Sequence, residues 1–433
     1  MRLVPLLLLL SAYAGSRPAA AGVRFGQPVI VHGAWNDSAG NRRDGNESMM
    51  DSFHSLGSDS FMFGQAIPSN ASDLSPGEAV YVASTDSGAS WHLADIRNPA
   101  AGSGWAPNGR PQALTGHGAR RAPGTLRTLG FLKPRSPTSF GSASTFEYSL
   151  RNGELQVTPS TKGTSFTGLP RPLLDLTPSS EGKPFVCMGP KKNFFEPVAS
   201  LALPDGSFLA CSLLCFDDSP AITVFGSNAS TRVPYLNGTV AGRSLVAWRS
   251  ADGFDWKYVG TVTDAKDMMA EPTRSLGGNT EENDLALMAD GKTIMIVMRT
   301  DGDCGCKQAN GRGACGLYRP YSQSYSSDMG RTWSHASPIP GTGCARPRLL
   351  SLGRNRPMLM SGGRMCWANT TGLFLWVNPT GMPNQEWSRY SLSYAHNQGW
   401  TGDKSYLFDE LINATNAGES MVRNRHASSR HFD

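Results

Sequence analysis

Apolar and polar positions alternate in short runs along most of this chain, and tight-turn residues separate the runs. The segment "EPVASLALPDGSFLACSL", from Glu196, has two such runs on either side of an Asp-Gly pair. Two more segments share its shape, "ENDLALMADGKTIMIVMR" from Glu282 and "RPRLLSLGRNRPMLMSGGR" from Arg346. Asp-Gly between alternating runs favours a β-hairpin, because glycine adopts the positive φ of a tight turn. The pattern therefore predicts three strand-turn-strand units.

A second strand pair follows each hairpin and ends in a turn that carries tryptophan. "STDSGASW" (residues 84–91) and "SSDMGRTW" (residues 326–333) share the pattern S-x-D-x-G-x-[ST]-W. "RSADGFDW", from Arg249, is one residue short, and "VNPTGMPNQEW", from Val377, is a decayed version. A large ring at a fixed offset from a tight turn predicts a hairpin tip that is pinned by an indole.

Four strands per unit, at a spacing of roughly 50 to 85 residues, are typical of β-propeller blades. No long stretch has a 3.6-residue apolar period, which argues against an α/β fold. Residues 98–124, rich in Pro, Gly and Arg, are expected to form an insertion loop. The predicted blades are residues 49–95, about 125–170 (irregular), 194–258, 282–335 and 346–390.

The first residues predict a secretory signal peptide over residues 1–21. An arginine precedes an apolar run at residues 3–10, and small residues suit cleavage after Ala14 or Ala21. The run is too short to span a bilayer, and no later stretch reaches 18 consecutive apolar residues. We expect a secreted protein, or one in the secretory lumen. Glycosylation sequons N-x-[ST] agree with this and begin at Asn36, Asn46, Asn70, Asn228, Asn237, Asn369 and Asn413.

The cysteines and the charges indicate which metals and ligands the sequence favours. Eight cysteines, an even number, fit disulfides in an oxidising compartment, and their pairing stays open. Cys304, Cys306 and Cys315 share one loop-like segment, but no histidine lies at zinc-ligand spacing, so no metal or cofactor is expected. The net charge of +5 permits an acidic ligand, and the arginines are scattered, so no nucleic-acid-binding stripe is visible.

The tryptophan turns resemble the Asp-box (BNR) repeats of the sialidase (neuraminidase) family, which read S-x-D-x-G-x-T-W. The resemblance runs from about Met49 to Trp387 and implies an all-β, six-bladed β-propeller. It also implies that the boxes are structural and lie on outer turns away from the active site. The expected organisation is a sialidase-like propeller over residues 22–410, with an incomplete last blade, and an irregular polar, basic tail over residues 411–433.

The same resemblance implies an exo-α-sialidase that removes terminal sialic acid from glycoconjugates with retention. In that family three arginines hold the substrate carboxylate, a glutamate activates a tyrosine nucleophile, and an aspartate protonates the leaving group. The chemistry is sound because a phenol approaches an anomeric centre that bears a carboxylate with less repulsion than an anion would. A guanidinium offers the carboxylate two parallel donors.

Carried onto this sequence, the resemblance assigns the activating glutamate to Glu282 and one arginine to Arg299. The Asp-Gly turn between them would bring both to one rim of the blade. Arg364 closes the next hairpin in the equivalent place and is assigned the third arginine, with Arg346 and Arg348 as alternatives.

The remaining roles depart from the family pattern. An Arg-Ile-Pro motif should supply the first arginine, but this chain has "SMMDSFHSL" there, so Arg43 or its neighbour Arg42 is proposed instead. Asp73 is the expected acid, with Glu78 and Asp51 as alternatives.

Tyr406 is the expected nucleophile, with Tyr390 and Tyr394 as alternatives. The missing motif and the unfinished last blade favour a second hypothesis. In that hypothesis the chain is a non-catalytic Asp-box propeller that binds acidic glycans or a protein partner. Sialylated glycans or glycoproteins are the partners that the first hypothesis implies.

Overall fold

The structure is a computed structural model of the 433-residue chain. It describes the backbone of residues 25, 35–36, 42–43, 48–55, 60–66, 78–93, 96–97, 119–122, 125–129, 134–136, 139–140, 145–151, 154–159, 165–174, 196–223, 239–269, 280–300, 320–343, 345–367, 370–402, 404, 407, 410–413 and 420–423. It describes the side-chain surroundings of residues 25, 82–92, 165–174, 199–220, 241–267, 282–299, 320–343, 347–362, 373–402, 404 and 407.

Near the N-terminus, β1 and β2 form a short two-stranded ladder. Sheets 1 and 2 come next in the chain. Sheet 1 has the antiparallel order β3-β4-β5-β6, and sheet 2 has the order β7-β13-β12-β9-β8, with β10 and β11 as a separate hairpin. The bounds are β1 (Trp35–Asn36), β2 (Arg42–Arg43), β3 (Ser48–Ser55), β4 (Ser60–Ala66), β5 (Glu78–Ser84), β6 (His92–Leu93), β7 (Ile96–Arg97), β8 (Ala119–Ala122), β9 (Thr125–Leu129), β10 (Pro134–Ser136), β11 (Ser139–Phe140), β12 (Thr145–Arg151) and β13 (Glu154–Pro159).

Sheet 3 has the order β14-β20-β19-β16-β15, and β17 and β18 form a hairpin beside it. A short helix, α1, follows its last strand. The bounds are β14 (Ser165–Thr167), β15 (Glu196–Ala202), β16 (Phe208–Leu214), β17 (Ala221–Thr223), β18 (Thr239–Ala241), β19 (Ser244–Ser250), β20 (Asp255–Thr263) and α1 (Ala265–Met269).

Sheets 4 and 5 are four-stranded antiparallel meanders with the orders β21-β22-β23-β24 and β25-β26-β27-β28. A helix, α2, and a two-stranded hairpin, β29 with β30, come after them. The bounds are β21 (Thr280–Leu287), β22 (Ile294–Thr300), β23 (Ser322–Ser326), β24 (Ser337–Pro338), β25 (Ala345–Ser351), β26 (Met358–Trp367), β27 (Thr370–Asn378), β28 (Ser388–Ser391), α2 (Leu392–Gly399), β29 (Glu410–Asn413) and β30 (Ser420–Arg423).

The predicted all-β class is confirmed, with sheets of mainly antiparallel strands. The predicted strand groups agree with the five larger sheets except at two places. β8 lies within the predicted insertion loop over residues 98–124, and β14, within the predicted group 125–170, pairs with sheet 3 instead. Sheets 2 and 3 each gain a fifth strand that the meander pattern does not predict. β7 pairs in parallel with the outer strand β13, and β14 pairs in parallel with the outer strand β20. In both cases the chain that leaves one sheet adds to the outer edge of the next, which covers backbone groups that an edge strand would expose.

The core lies between the sheets, since β22 of sheet 4 is buried on both faces. On β22, Ile294, Ile296 and Met298 pack with residues of sheet 3, while Met295 and Val297 pack with residues of sheet 5. Alternate side chains of a strand point to opposite faces, so a strand that is apolar at every position belongs in the middle of a stack. Sheets 3, 4 and 5 therefore pack face to face in series.

The two full tryptophan turns have the same hydrogen bonds. In the turn at residues 326–333, Asp328 Oδ1 accepts from the amides of Arg331 and Thr332 at 3.0 and 2.9 Å, and Trp333 Nε1 donates to the carbonyl of Gly330 at 3.0 Å. The turn at residues 84–91 repeats the aspartate and indole bonds at 2.9 and 3.1 Å. The prediction that an indole pins these tips is confirmed.

Part of the segment predicted to be an irregular tail, residues 411–433, is described by the structure. β29 and β30 form an antiparallel hairpin in which Leu411 is opposite Val422 and Ile412 is opposite Met421. Strands of four residues are at the lower limit of length for an alternation that sequence can reveal. The backbone of β29 lies beside β27 and α2.

Two further sequence predictions concern the cysteines and membrane-spanning segments. Cys211 is a free thiol buried in sheet 3, so the eight cysteines do not all form disulfides. Within the residues that the structure describes, neither helix has the length and apolar character needed to cross a membrane.

Candidate functional site

The first strands of sheets 4 and 5, β21 and β25, run side by side in the same direction. Near one end, the amide of Leu349 on β25 donates to Asp284 on β21 at 2.7 Å. Near the other end, the amide of Asn355 donates to the carbonyl of Ala289 at 2.9 Å. From the first contact to the second, the residue numbers increase in both segments, from 284 to 289 and from 349 to 355. The two strands therefore run in the same direction, and the starts of β21 and β25 lie at the same end of the stack. We call this end the upper rim.

A β-bulge displaces the strand pairing of sheet 4 at the upper rim. Thr280 pairs with Thr300 and Asn283 pairs with Met298, so two residues, Glu281 and Glu282, lie opposite the single residue Arg299. A bulge bends the strand and re-aims the side chains within it. The bulge brings the Glu282 side chain over Arg299.

Glu282 and Arg299 form an ion pair at this bulge. Arg299 Nη1 donates to Glu282 Oε2 at 3.0 Å, and the two side chains are only 9% and 17% exposed, respectively. Little water reaches the pair, so it is screened less than a surface ion pair. The predicted meeting of Glu282 and Arg299 at one rim is observed, although their predicted chemical roles stay predictions.

Sheet 5 repeats the bulge at the corresponding place. Ala345 pairs with Gly363 and Arg348 with Ser361, which leaves Arg346 and Pro347 opposite the single residue Gly362. A second irregularity on the other side of β26 spans Gly362 to Met365 and contains Arg364. The backbone therefore places Arg346 and Arg364 at the same rim as Arg299. Their side chains lie outside the described residues.

Asp284 is a buried carboxylate between the two sheets that the sequence prediction did not include. The residue is 0% exposed, and its Oδ2 accepts from the amide of Leu349 across the gap, while its Oδ1 accepts from the amide of Leu285. The available signal was the pair Asn283-Asp284 at the start of an otherwise apolar strand. Polar residues at positions where the alternation calls for apolar ones indicate a buried hydrogen-bonded role.

Most other predicted site residues lie where side chains are not described. Arg43 belongs to β2, Asp51 to β3 and Glu78 to the first position of β5, in each case with the backbone alone described. Asp51 occupies a bulge, because Met50 pairs with Gly64 and Ser52 with Phe63. Asp73 and Tyr406 lie outside the described residues altogether.

The two alternative tyrosines are described. Tyr390 lies on β28, the outer strand of sheet 5, and packs edge-on against Phe25 with ring centroids 6.3 Å apart. Tyr394 lies in the first turn of α2, where its amide donates to the helix-capping hydroxyl of Ser391. Both tyrosines therefore belong to the outer part of sheet 5 and the helix that follows it.

No protein-family model matches the chain, and no curated protein matches it either. Solved structures that resemble it include a protein of unknown function from Dyadobacter fermentans, with 13% identity, a TM-score of 0.40, and 78% of this chain and 81% of that chain covered. Trypanosoma rangeli sialidase has 14% identity and a TM-score of 0.42, over 83% of this chain and 51% of that one. A Hadza microbial sialidase has 11% identity and a TM-score of 0.42, over 86% and 65%. The chain spans about half the length of the Trypanosoma sialidase.

Proposed function

We propose that the chain is an exo-α-sialidase-like glycoside hydrolase that removes terminal sialic acid from glycoconjugates. The observation that supports the proposal is the shielded pair of Glu282 and Arg299 at a bulge on the upper rim. Irregularities in the strand pairing of sheet 5 contain Arg346 and Arg364. Guanidinium groups at neighbouring strand ends suit a bidentate carboxylate ligand. The sheets are proposed to be blades of a six-bladed propeller in a protein of the secretory lumen or the extracellular space.

In the proposed mechanism Arg299, Arg364 and Arg43 bind the carboxylate of sialic acid. Glu282 accepts the phenolic proton of Tyr406, whose oxygen attacks the anomeric carbon while the glycosidic bond breaks. Asp73 donates its proton to the leaving oxygen. It then takes a proton from the water that attacks the anomeric carbon, while the bond to the tyrosine oxygen breaks and Glu282 returns its proton to that oxygen. The roles of Asp73 and Tyr406 rest on the sequence resemblance.

A second candidate function is binding of acidic glycans without turnover. The specific observation that favours it is the composition of β3, "SMMDSFHS", which supplies an aspartate and no arginine at the first-arginine position of the family pattern. A pocket with fewer carboxylate-binding arginines would still attract an anionic sugar, since two guanidinium groups provide paired donors.

The test is a fluorogenic sialoside assay on the full chain, with Glu282→Gln as the site variant. We expect wild-type turnover and a loss of about 100-fold or more in kcat for Glu282→Gln, because the variant no longer accepts the phenolic proton. Glu386→Gln is the matched control, since Glu386 is an exposed glutamate in the turn before Trp387. Thermal unfolding of each variant separates loss of chemistry from loss of fold.

Three outcomes are informative. Turnover that Glu282→Gln abolishes and Glu386→Gln spares supports the hydrolase. Sialoside binding without turnover supports the second candidate. Neither turnover nor binding by folded wild-type protein would overturn both proposals.

A further inference from the structure

We propose that Asp284 is a positioning residue that fixes the upper rim of sheet 5 against that of sheet 4, and thereby sets the spacing of the arginines that bind a carboxylate ligand. This inference rests on the proposed function, because it concerns the same ligand. It assigns to the site a residue that does not itself touch the ligand.

In the part of the chain that the structure describes, no β-ladder joins β21 to β25. Among the described residues, β21 and β25 belong to different sheets, and each forms its backbone ladder with its own hairpin partner. Apolar side chains fill the space between the sheets, with Ala286 of β21 and Leu349 of β25 in one cluster. Apolar packing has no preferred direction, so it specifies the height of one strand against the other only weakly. The bond from the Asn355 amide to the Ala289 carbonyl fixes the two segments at the end away from the upper rim.

The Asp284 carboxylate supplies a directional contact across the gap between the two sheets. Its Oδ2 accepts from the Leu349 amide at 2.7 Å, and both residues are buried, at 0% and 4% exposed. A hydrogen bond weakens steeply when its donor and acceptor are misaligned, so it resists sliding along the strand axis. Residues within a strand are about 3.3 Å apart, so even a one-residue slip would break the contact.

The bond between Asp284 and Leu349 lies next to the upper rim. Asp284 is two residues from Glu282 and is paired with Val297, which is two residues before Arg299. Leu349 is three residues from Arg346 and is paired with Met360, four residues before Arg364. The bond thus lies two to four residues along the strands from the residues proposed to bind the carboxylate. A displacement of about 1 Å at such a site is enough to weaken a bidentate contact severely.

The test variant is Asp284→Asn, because its single carboxamide oxygen cannot replace both carboxylate oxygens that accept from Leu285 and Leu349. The matched control is Asp290→Asn. Asp290 lies in the turn at the opposite end of the same hairpin, where its carboxylate also accepts from two amides, those of Lys292 and Thr293. Both substitutions remove one charge and keep the size of the side chain.

The readout is the ratio of affinities for sialic acid and for its neutral methyl ester, measured on the full chain by calorimetry. A residue that only supported the fold would lower both affinities together. We expect wild-type protein and Asp290→Asn to prefer the acid by about tenfold or more, which is the scale of one charge-assisted contact, and Asp284→Asn to lose most of that preference. Hydrogen exchange at the Leu349 amide should be faster in Asp284→Asn alone.

The outcomes separate the two proposals. A wild-type preference for the acid that Asp284→Asn retains overturns the positioning role and leaves the proposed function standing. Binding of neither ligand by wild-type protein overturns the proposed function, and the positioning role with it. Loss of the preference in Asp284→Asn, with the preference kept in Asp290→Asn, supports both.

Discussion

Gly330 and Leu209 lie so close together that a β-carbon on the glycine would be 2.5 Å from Cδ1 of the leucine. Gly330 belongs to the tryptophan turn of sheet 4, and Leu209 is a fully buried residue of sheet 3. The turn therefore closes its own hairpin and also seals the interface with the preceding sheet. Gly330 has a φ of +90°, so both its backbone conformation and its lack of a side chain are required here.

We expect Gly330→Ala to lower the free energy of unfolding by about 2 to 5 kcal/mol. About 1 to 2 kcal/mol comes from the positive φ and about 1 to 3 kcal/mol from the overlap with Leu209. Gly291→Ala is the control, because Gly291 has a φ of +69° and no atom within 4 Å of an added β-carbon. Urea unfolding checks this, and equal effects at the two glycines would show that the interface tolerates a methyl group.

The carboxylate of Asp328 should make stability depend on acidic pH. Burial raises its pKa, but hydrogen bonds from Thr332, Ser326 and the Arg331 amide outweigh this and lower the pKa from 3.8 to about 2. A depressed pKa means that the charged form stabilises the folded state above pH 3.8 and that this contribution is lost as the pH falls through about 2. Asp328→Asn should therefore lower the Tm most at neutral pH, with a smaller difference from wild type as the pH falls from about 4 to about 2.

Thermal unfolding across that pH range is the measurement for Asp328. Asp217→Asn serves as the control, because Asp217 is an exposed aspartate outside the tryptophan turns. A Tm difference between Asp328→Asn and wild type that is constant with pH would contradict the assignment. Asp86 should behave in the same way, since hydrogen bonds from the Ser90 hydroxyl and amide lower its pKa to about 2 as well.

The turns of this fold could be predicted because their chemistry is local. The Asp-Gly pairs at residues 205–206 and 290–291 do form the predicted hairpins, with Gly206 and Gly291 at φ +81° and +69°. The spacing of the tryptophans likewise predicted that an indole pins each hairpin tip. The structure shows how: each indole donates to the glycine carbonyl three residues earlier. In these cases a few neighbouring residues determine the conformation.

Contacts between distant segments could not be predicted in the same way. The parallel pairing of Phe166 with Trp256 joins residues 90 positions apart, and no local pattern encodes a parallel partner. The bond between Asp284 and Leu349 depends on how two sheets stack, so the sequence shows only an unexpected polar residue at the start of an apolar strand. The meeting of Glu282 with Arg299 was predictable, since one hairpin joins them.

The ion pair of Glu282 and Arg299 should be more strongly coupled than a surface pair. A double-mutant cycle with Glu282→Gln and Arg299→Met is expected to give a coupling of about 1 to 3 kcal/mol in unfolding free energy. The control cycle uses Arg249 and Asp205, whose side chains are 21% and 52% exposed, and is expected to give about 0 to 1 kcal/mol. Equal coupling in the two cycles would mean that the upper rim is as well hydrated as the protein surface.

Cys211 should be unreactive in the folded protein. The residue is 0% exposed, and burial raises the pKa of its thiol far above the usual range, so almost no thiolate is present at neutral pH. Its neighbours Ala199, Leu209 and Ala247 in the core between sheets 3 and 4 also block access by a reagent. We expect iodoacetamide at about pH 8, near the ordinary pKa of a free thiol, to leave Cys211 unmodified in native protein and to modify it fully in guanidinium chloride. Peptide mass spectrometry provides the measurement, and labelling of Cys211 in native protein at the denatured rate would show that sheets 3 and 4 separate readily.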